Sequence, residues 1–367
     1  MTKLKIAFLG FGLIGGSIAR TLKIKKEPVT VCVYTRRPNP DLDHGVHDGI
    51  IDELHYDLSD WLKQCDLIFL CGPVLVNIEL LGQIKPFLSS SQIITDVGSV
   101  KGNIHEEAKR LGLDDCFIGG HPMAGSEKTG FANSSTTLLE NAYYLLTPTS
   151  LTSPAHLDLM KNLVDTLGSI CVVLTPEKHD QVTAAISHVP HIIATSLVNM
   201  VRLSDDEDEN MKHFAAGGFK DITRIASSSP EMWQNICLSN TASIHQFLQS
   251  FQQILADFDA KLLTQDETGL RDTFLEAGNY RDSIPAKKAS VIERCYELFL
   301  DIADETGAIA TIATLLASNG ISIKNIGILH NREFAEGALR IEFYRETAKE
   351  QAQDLLSLHH YRVFNKQ

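Results

Sequence analysis

Lys5-Ile6-Ala7-Phe8-Leu9-Gly10-Phe11-Gly12-Leu13-Ile14-Gly15-Gly16-Ser17 opens the chain with an apolar strand that runs straight into G-x-G-x-x-G and then into a helical pattern. That order is the one a dinucleotide-binding βαβ unit requires, and it outweighs the bare motif, which is common. Gly10 permits the tight turn, Gly12 lets backbone approach a pyrophosphate, and Gly15 lets the helix lie close on the strand. With Leu13 and Ile14 these residues open a helix whose free N–H groups and partial positive charge suit phosphate.

Outward from this loop, short β-branched runs alternate with helical patterns to about Thr175. Strands are expected at Lys5–Leu9, Val29–Tyr34, Leu67–Leu70, Gln92–Asp96, Phe117–Gly120, Ala142–Leu146 and Ile170–Leu174. The first four are continuous apolar runs, as parallel strands buried on both faces are. The fold class is therefore α/β, a Rossmann-type doubly wound domain over residues 1–175. Past Pro176 the strand signals stop, and helical spacing through His188–Val201 and Trp233–Phe258 marks an all-helical block over 176–280. Asp205 to Glu209 are five consecutive acidic residues, a solvated segment rather than a cation site. Residues 281–295 read as a linker around Pro285, Lys287 and Lys288. A βαββαβ pattern then fills 296–367, with strands at Tyr296–Ala303, Ile321–Leu329, Gly337–Tyr344 and Tyr361–Phe364 and helices at Ile309–Asn319 and Thr347–Leu356, a ferredoxin-like module.

Composition narrows the functional classes. The 46 Asp+Glu against 33 Lys+Arg leave a net charge of −13, which excludes a broad nucleic-acid or anionic-membrane surface but not a cleft with a few arginines. The seven cysteines, at 32, 65, 71, 116, 171, 237 and 295, never form C-x-x-C, so neither a disulfide framework nor a metal site is expected and a reducing, cytoplasmic setting fits. The longest apolar run, Leu67 to Val76, is broken by Gly72 and Pro73, so no membrane association is expected.

The second strand ends in Tyr34-Thr35-Arg36-Arg37, with no carboxylate for a ribose 2′-hydroxyl. The cofactor is NAD or NADP. Arg36 and Arg37 tilt the choice toward NADP, the alternative being that an arginine stacks on adenine. Polar segments follow the later strands: Asp96-Val97-Gly98-Ser99-Val100-Lys101 and Gly120-His121-Pro122-Met123-Ala124-Gly125-Ser126-Glu127. The helical block adds Ser187-His188-Val189-Pro190-His191, then Phe219-Lys220-Asp221-Ile222-Thr223-Arg224, then Trp233.

These motifs, in this order and spanning residues 6 to about 233, resemble the prephenate/arogenate dehydrogenase family of tyrosine biosynthesis. The tail from Tyr296 resembles an ACT domain, with Asp304-Glu305-Thr306-Gly307-Ala308-Ile309 as its strand-to-helix turn. The resemblance implies an enzyme that oxidatively decarboxylates prephenate to 4-hydroxyphenylpyruvate; arogenate dehydrogenase, or another Rossmann hydroxyacid dehydrogenase, is the alternative. It makes His121 the proton acceptor, a role its near-neutral titration suits. It puts Ser99 against the same hydroxyl, where an N-cap is the plainer reading. Ser126 and Glu127 follow the histidine. The resemblance puts Glu127 at the substrate entrance, against a helix-start carboxylate. Arg224 suits a carboxylate clamp. Lys220, one turn earlier, supports it or is a surface lysine. His191 is a substrate contact, His188 either a contact or a packing residue, and Trp233 closes the site or is core. The long apolar helical block implies a homodimer, and Gly307 a turn that holds an amino-acid effector, tyrosine.

Overall fold

The computed structural model describes residues 4–89, 91–125, 128–284, 296–302, 305–329 and 338–364. Contacts divide the chain into two compact units, residues 1–273 and 274–367.

In the first unit eight strands form one sheet: β1 (Leu4–Leu9), β2 (Val29–Tyr34), β3 (Glu53–His55), β4 (Leu67–Leu70), β5 (Ile93–Asp96), β6 (Phe117–Pro122), β7 (Tyr143–Pro148) and β8 (Ile170–Val173). Their order is β3-β2-β1-β4-β5-β6-β7-β8. Every neighbouring pair is parallel except β6 and β7. Strand order reverses between β1 and β4, and this reversal opens a crevice at the carboxyl edge of the sheet. All of β4 and β5 is buried, so helices cover both faces, as the unbroken apolar runs require. Phe8 stacks on Phe69 with ring centroids 5.1 Å apart, locking β1 to β4 inside the core. At the end of β1, Gly10 adopts φ +91°, and a Cβ there would sit 3.0 Å from Gly72 N and 3.1 Å from Cys71 C. Only glycine fits that turn.

The strands fall where the sequence places them, except that β3 is additional. It spans three residues, and Glu53 and His55 give it no apolar pattern.

The helical block begins with a continuous run, Pro176–Thr183, a π-turn at Ala184–His188, and Val189–Ser204. This run is long and apolar enough to cross a bilayer by length and composition, although polar residues interrupt its apolar stretches. Its polar residues His179, Asp180 and His188 are buried against the rest of the unit. Helices Gly217–Thr223, Pro230–Ser239, Thr241–Leu263 and Glu267–Ser283 follow. The last of these carries Arg281 to Ser283, residues expected in the linker, while 285–295 lie outside the described residues. In the long helix Thr241–Leu263 Ile244 alone is buried, while Ile254, Leu255, Leu262 and Leu263 are exposed. An apolar stripe of that length without cover is the mark of a helix built to pack against another chain. The acidic run is a solvated loop whose Asp205 carboxylate accepts the N–H groups of Met211 and Lys212 at 2.9 and 3.1 Å.

The second unit holds β9 (Tyr296–Asp301), β10 (Ile323–Leu329), β11 (Ala338–Phe343) and β12 (Val363–Phe364) in the order β10-β11-β9-β12, antiparallel throughout. With helices Ala308–Ser318 and Glu346–Leu358 between them this is the ferredoxin-like βαββαβ topology.

β6 passes β5 so closely at its carboxyl end that a Cβ on Gly120 would lie 2.6 Å from the carbonyl oxygen of Asp96. Gly120→Ala should therefore lower stability by about 1–3 kcal/mol or more, since backbone must move to admit the methyl. Chemical denaturation measures this, and an unchanged midpoint would mean that the two strands separate freely.

Candidate active site

The loop after β1 has the geometry a dinucleotide needs. Helix Leu13–Ile24 starts at Gly12 with no side chain capping its first N–H groups. A Cβ on Gly12 would meet nothing within 4 Å, so the space beside it is open. A Cβ on Gly15 would lie 3.2 Å from Cys71 Sγ, because the helix packs directly on the turn after β4. Leu13 and Ile14 are half-buried at the mouth of the loop. At the end of β2, Thr35 donates its N–H to His55 O at 3.0 Å and its hydroxyl to Arg37 O at 2.9 Å. Arg36 and Arg37 are exposed and make no ion pair among the described residues.

Further along the carboxyl edge, the turn after β5 is organised around buried charge. Lys101 is fully buried, its ammonium in contact with Asp96 Oδ2 and 2.8 Å from Gly120 O. Burial lowers the pKa of Lys101, and Asp96 opposes that shift. Asp96 also accepts from Gly98 N at 2.8 Å and Gly120 N at 3.2 Å. The backbone N–H groups of Lys101 and Gly102 both donate at 2.8 Å to the carboxylate of Asp180, at the start of the helical block. Residues 96 to 102 thus join three elements: β5, β6 and helix Pro176–Thr183.

His121 lies at the end of β6 beside this network. Its Nδ1 is 2.8 Å from His179 Nε2, and His179 Nδ1 is 2.8 Å from Asp180 Oδ1. Burial first, then the neighbouring His179, Lys101 and His188, hold the His121 imidazole well below its ordinary pKa. Asn240 Nδ2 donates to His188 Nδ1 at 3.2 Å and to Asp180 O at 2.9 Å, so His188 packs in the network rather than lining a surface. His191 donates from Nδ1 to Ser187 O at 3.0 Å and stacks on Trp233, centroids 3.7 Å apart. Both line a cavity of about 420 Å³ together with Thr195, Ile225, Ser228 and Cys237. Trp233 also packs on Val74, Val100 and Ile236, and its indole N–H is buried with no partner among the described residues.

The sequence candidates therefore separate. The structure connects His121 to His188 electrostatically, and His191 to Trp233 and to the charge of Arg224. Arg224 opens a 3-10 turn just after helix Gly217–Thr223; it and Lys220 are exposed and make no ion pair among the described residues. Ser99 is half-buried, and its hydroxyl bonds neither His121 nor any other described residue; the N-cap of the following helix is Lys101, not Ser99. Ser126 and Glu127 lie outside the described residues. Sequence reasoning missed His179 and Asp180, although a His-Asp pair in the first turn of a helix after Thr175-Pro176 was the available signal. Elsewhere, donor atoms of Cys32, Glu53 and His55 gather within 4.8 Å of one another, but the Lys5 ammonium already pairs with Glu53 at 2.8 Å.

Burial pushes His105 and His188 down to about 4. Below about pH 6.5 the unfolded chain protonates these side chains while the folded chain resists until about pH 4, so stability declines as pH falls through that window. By pH 5 the loss should be of the order of 2 kcal/mol for each group. Urea midpoints at pH 7.5 and 5 test this, and His188→Asn should flatten the slope. A midpoint independent of pH would show that these histidines are not held neutral.

Residues 18–173 match the family described as prephenate dehydrogenase, nucleotide-binding domain, and residues 175–276 match its dimerization domain. The chain is 37% identical to the prephenate dehydrogenase of Bacillus subtilis over 96% of this chain and 95% of that protein. It resembles the crystal structure of the A. aeolicus prephenate dehydrogenase in complex with hydroxyphenyl propionate and NAD+, at 31% identity and TM-score 0.73, covering 77% of this chain and 99% of that one. It resembles the Synechocystis arogenate dehydrogenase to a similar degree, at 31% identity and TM-score 0.69 over 76% and 99% of the two chains. With His121 and the helical block to residue 276 falling within the two family matches, the chain belongs to the prephenate dehydrogenase family.

Proposed function

We propose that this protein oxidises prephenate to 4-hydroxyphenylpyruvate with loss of carbon dioxide, using a nicotinamide dinucleotide. One observation carries the reading: at the carboxyl edge of the nucleotide-binding sheet the half-buried His121 bonds to the His179–Asp180 pair, and its surroundings hold its pKa well below the ordinary value. Prephenate carries a ring hydroxyl, a ring carboxylate and a pyruvyl side chain. The dinucleotide supplies the hydride acceptor, and Gly10, Gly12 and Gly15 are the residues that would hold its phosphates. His121 takes the hydroxyl proton while the carbinol carbon gives up its hydride, and the ring carboxylate leaves as the ring becomes aromatic. Aromatisation supplies the driving force and leaves a phenolate, to which the proton returns to give the hydroxyl of the product; the protein's task is to orient the substrate and to hold that one proton in between. Arg224, supported by Lys220, meets the carboxylates; His191 and Trp233 form the wall beside them. Ser99 orients the hydroxyl, and Ser126 and Glu127 border the entrance.

A second reading is arogenate as substrate, favoured by the 31% identity shared with the Synechocystis arogenate dehydrogenase. Steady-state kinetics with both substrates separate the two. The exposed stripe on helix Thr241–Leu263 supports a homodimer through the helical block. Free thiols at the six described cysteines fit a cytoplasmic location. For the ACT-like module we propose a regulatory role with tyrosine as effector. Gly307, at φ +94° before helix Ala308–Ser318 with open space where a Cβ would stand, lets backbone N–H groups approach a carboxylate.

His121→Asn should lower kcat by roughly 10²–10⁴-fold with cofactor affinity little changed. Turnover within a factor of three of wild type would remove His121 from the chemistry.

At the adenosine end, Arg36 and Arg37 stand where an NAD-specific chain carries a carboxylate, which favours NADP. Arg36→Asp should shift the ratio of kcat/KM values toward NAD by at least tenfold, about 1.4 kcal/mol. Wild-type enzyme inert with NADP would refute this reading of the arginines.

A further inference from the structure

Asp180 sets the protonation of everything between it and His121. Its two oxygens accept backbone N–H groups from Lys101 and Gly102, each at 2.8 Å, and Oδ1 also lies 2.8 Å from His179 Nδ1. A carboxylate only accepts hydrogen bonds, so the proton of that last contact belongs to His179 Nδ1. A neutral imidazole protonated on Nδ1 has a lone pair on Nε2. The 2.8 Å contact between His179 Nε2 and His121 Nδ1 is then filled by the Nδ1–H of His121. That assignment leaves Nε2 of His121 bare.

The assignment is rigid because His179 and Asp180 are enclosed. His179 is fully buried, and Asp180 is 7% exposed. The hydroxyl of Thr183 donates to His179 O at 3.0 Å, and Asn240 donates to Asp180 O at 2.9 Å. Burial also lowers the pKa of His179 itself, while its bond to Asp180 raises it, so the resting chain holds two neutral rings.

We propose that His179 and Asp180 form a positioning pair for the reaction, fixing the Nδ1–H form of His121 and stabilising the positive charge it acquires. This rests on His121 being the proton acceptor. In the step itself the substrate O–H bond breaks and an N–H bond forms on His121 Nε2, the electron pair of the O–H bond staying on oxygen. The new imidazolium strengthens its Nδ1–H bond to His179, which in turn donates to the Asp180 carboxylate. A single buried ring, His179, thus separates the developing cation from its counter-charge, and in such low-dielectric surroundings charge-assisted bonds are strongest. Lys101 opposes this charge from the turn after β5, and His188 opposes it from the helical block. Asp96 faces His179 with the same sign as Asp180. Neither His179 nor Asp180 touches the reacting atoms; both act through His121.

The test uses full-length enzyme with prephenate and a saturating nicotinamide cofactor, comparing wild type, His179→Leu, His179→Gln and His121→Asn. The leucine removes the acceptor and the link to Asp180; glutamine keeps a carbonyl that can accept from His121 Nδ1–H. His179→Leu should lower kcat by about 10–100-fold with KM changed less than about threefold. The acidic limb of its kcat/KM profile should move to lower pH, because the imidazolium of His121 has lost its counter-charge. His179→Gln should recover part of kcat while keeping the displaced limb. Combined with His121→Asn, the His179 substitution should cost less than about threefold more, since both act on one proton.

If His179→Leu fails to fold, the glutamine variant alone carries the pH measurement. An acidic limb that stays where it is in wild type, or full additivity with His121→Asn, would overturn the proposal and leave His179 a packing residue. An active His121→Asn enzyme would instead overturn the reading of His121, a result distinguishable because it does not involve His179.

Discussion

The ammonium of Lys101 is out of reach of solvent, and three features of the site follow from how it is satisfied. It contacts the Asp96 carboxylate at the end of β5 and the Gly120 carbonyl one residue before His121. Its own backbone N–H donates to Asp180, one of the contacts that hold the helical block against the sheet. A buried ammonium costs several kcal/mol to desolvate, and removing one partner leaves the other charge stranded. The geometry of β5, β6 and helix Pro176–Thr183 is therefore over-determined at this one point. His121 inherits that precision, since it follows Gly120 directly and bonds to the residue beside Asp180.

The site handles charge by segregation. The chain as a whole carries −13, yet the carboxylates of this network, Asp96 and Asp180, are already occupied by Lys101, backbone N–H groups and His179. The histidines around them are driven neutral by burial. Arg224 and Lys220 are exposed in the helical block, and the charge of Arg224 reaches His191. An acidic protein can in this way present a dianion with local positive charge and a neutral base. The overall sign of the protein then bears on solubility and encounter, not on the site.

Much of this was legible in the sequence, for a physical reason. Parallel strands buried on both faces leave uninterrupted apolar runs, which is why β1, β2, β4 and β5 read within a residue of where they lie. The glycine loop was readable because backbone sterics at Gly10 and close packing at Gly15 admit little else. β3 was not, being three residues long with two polar side chains. The π-turn at Ala184–His188 has no pattern of its own within an apolar helix. His179 and Lys101 were invisible as functional residues for a different reason. A lysine at a helix start, like a histidine beside an aspartate there, looks like surface, and their burial comes from partners far along the chain, 58 residues apart for His121 and His179. Tertiary contact alone converts them from solvated polar groups into a network.

The account stands on one arrangement of protons: Nδ1–H on both His121 and His179, with Nε2 of His121 bare to accept from substrate. Neutron diffraction from perdeuterated crystals at neutral pH reads those positions directly. Nuclear density for deuterium on Nδ1 of both rings, and none on Nε2 of either, is the predicted result. Deuterium on Nε2 of His121 at that pH would contradict it, because the ring would then present a donor where the chemistry needs a base.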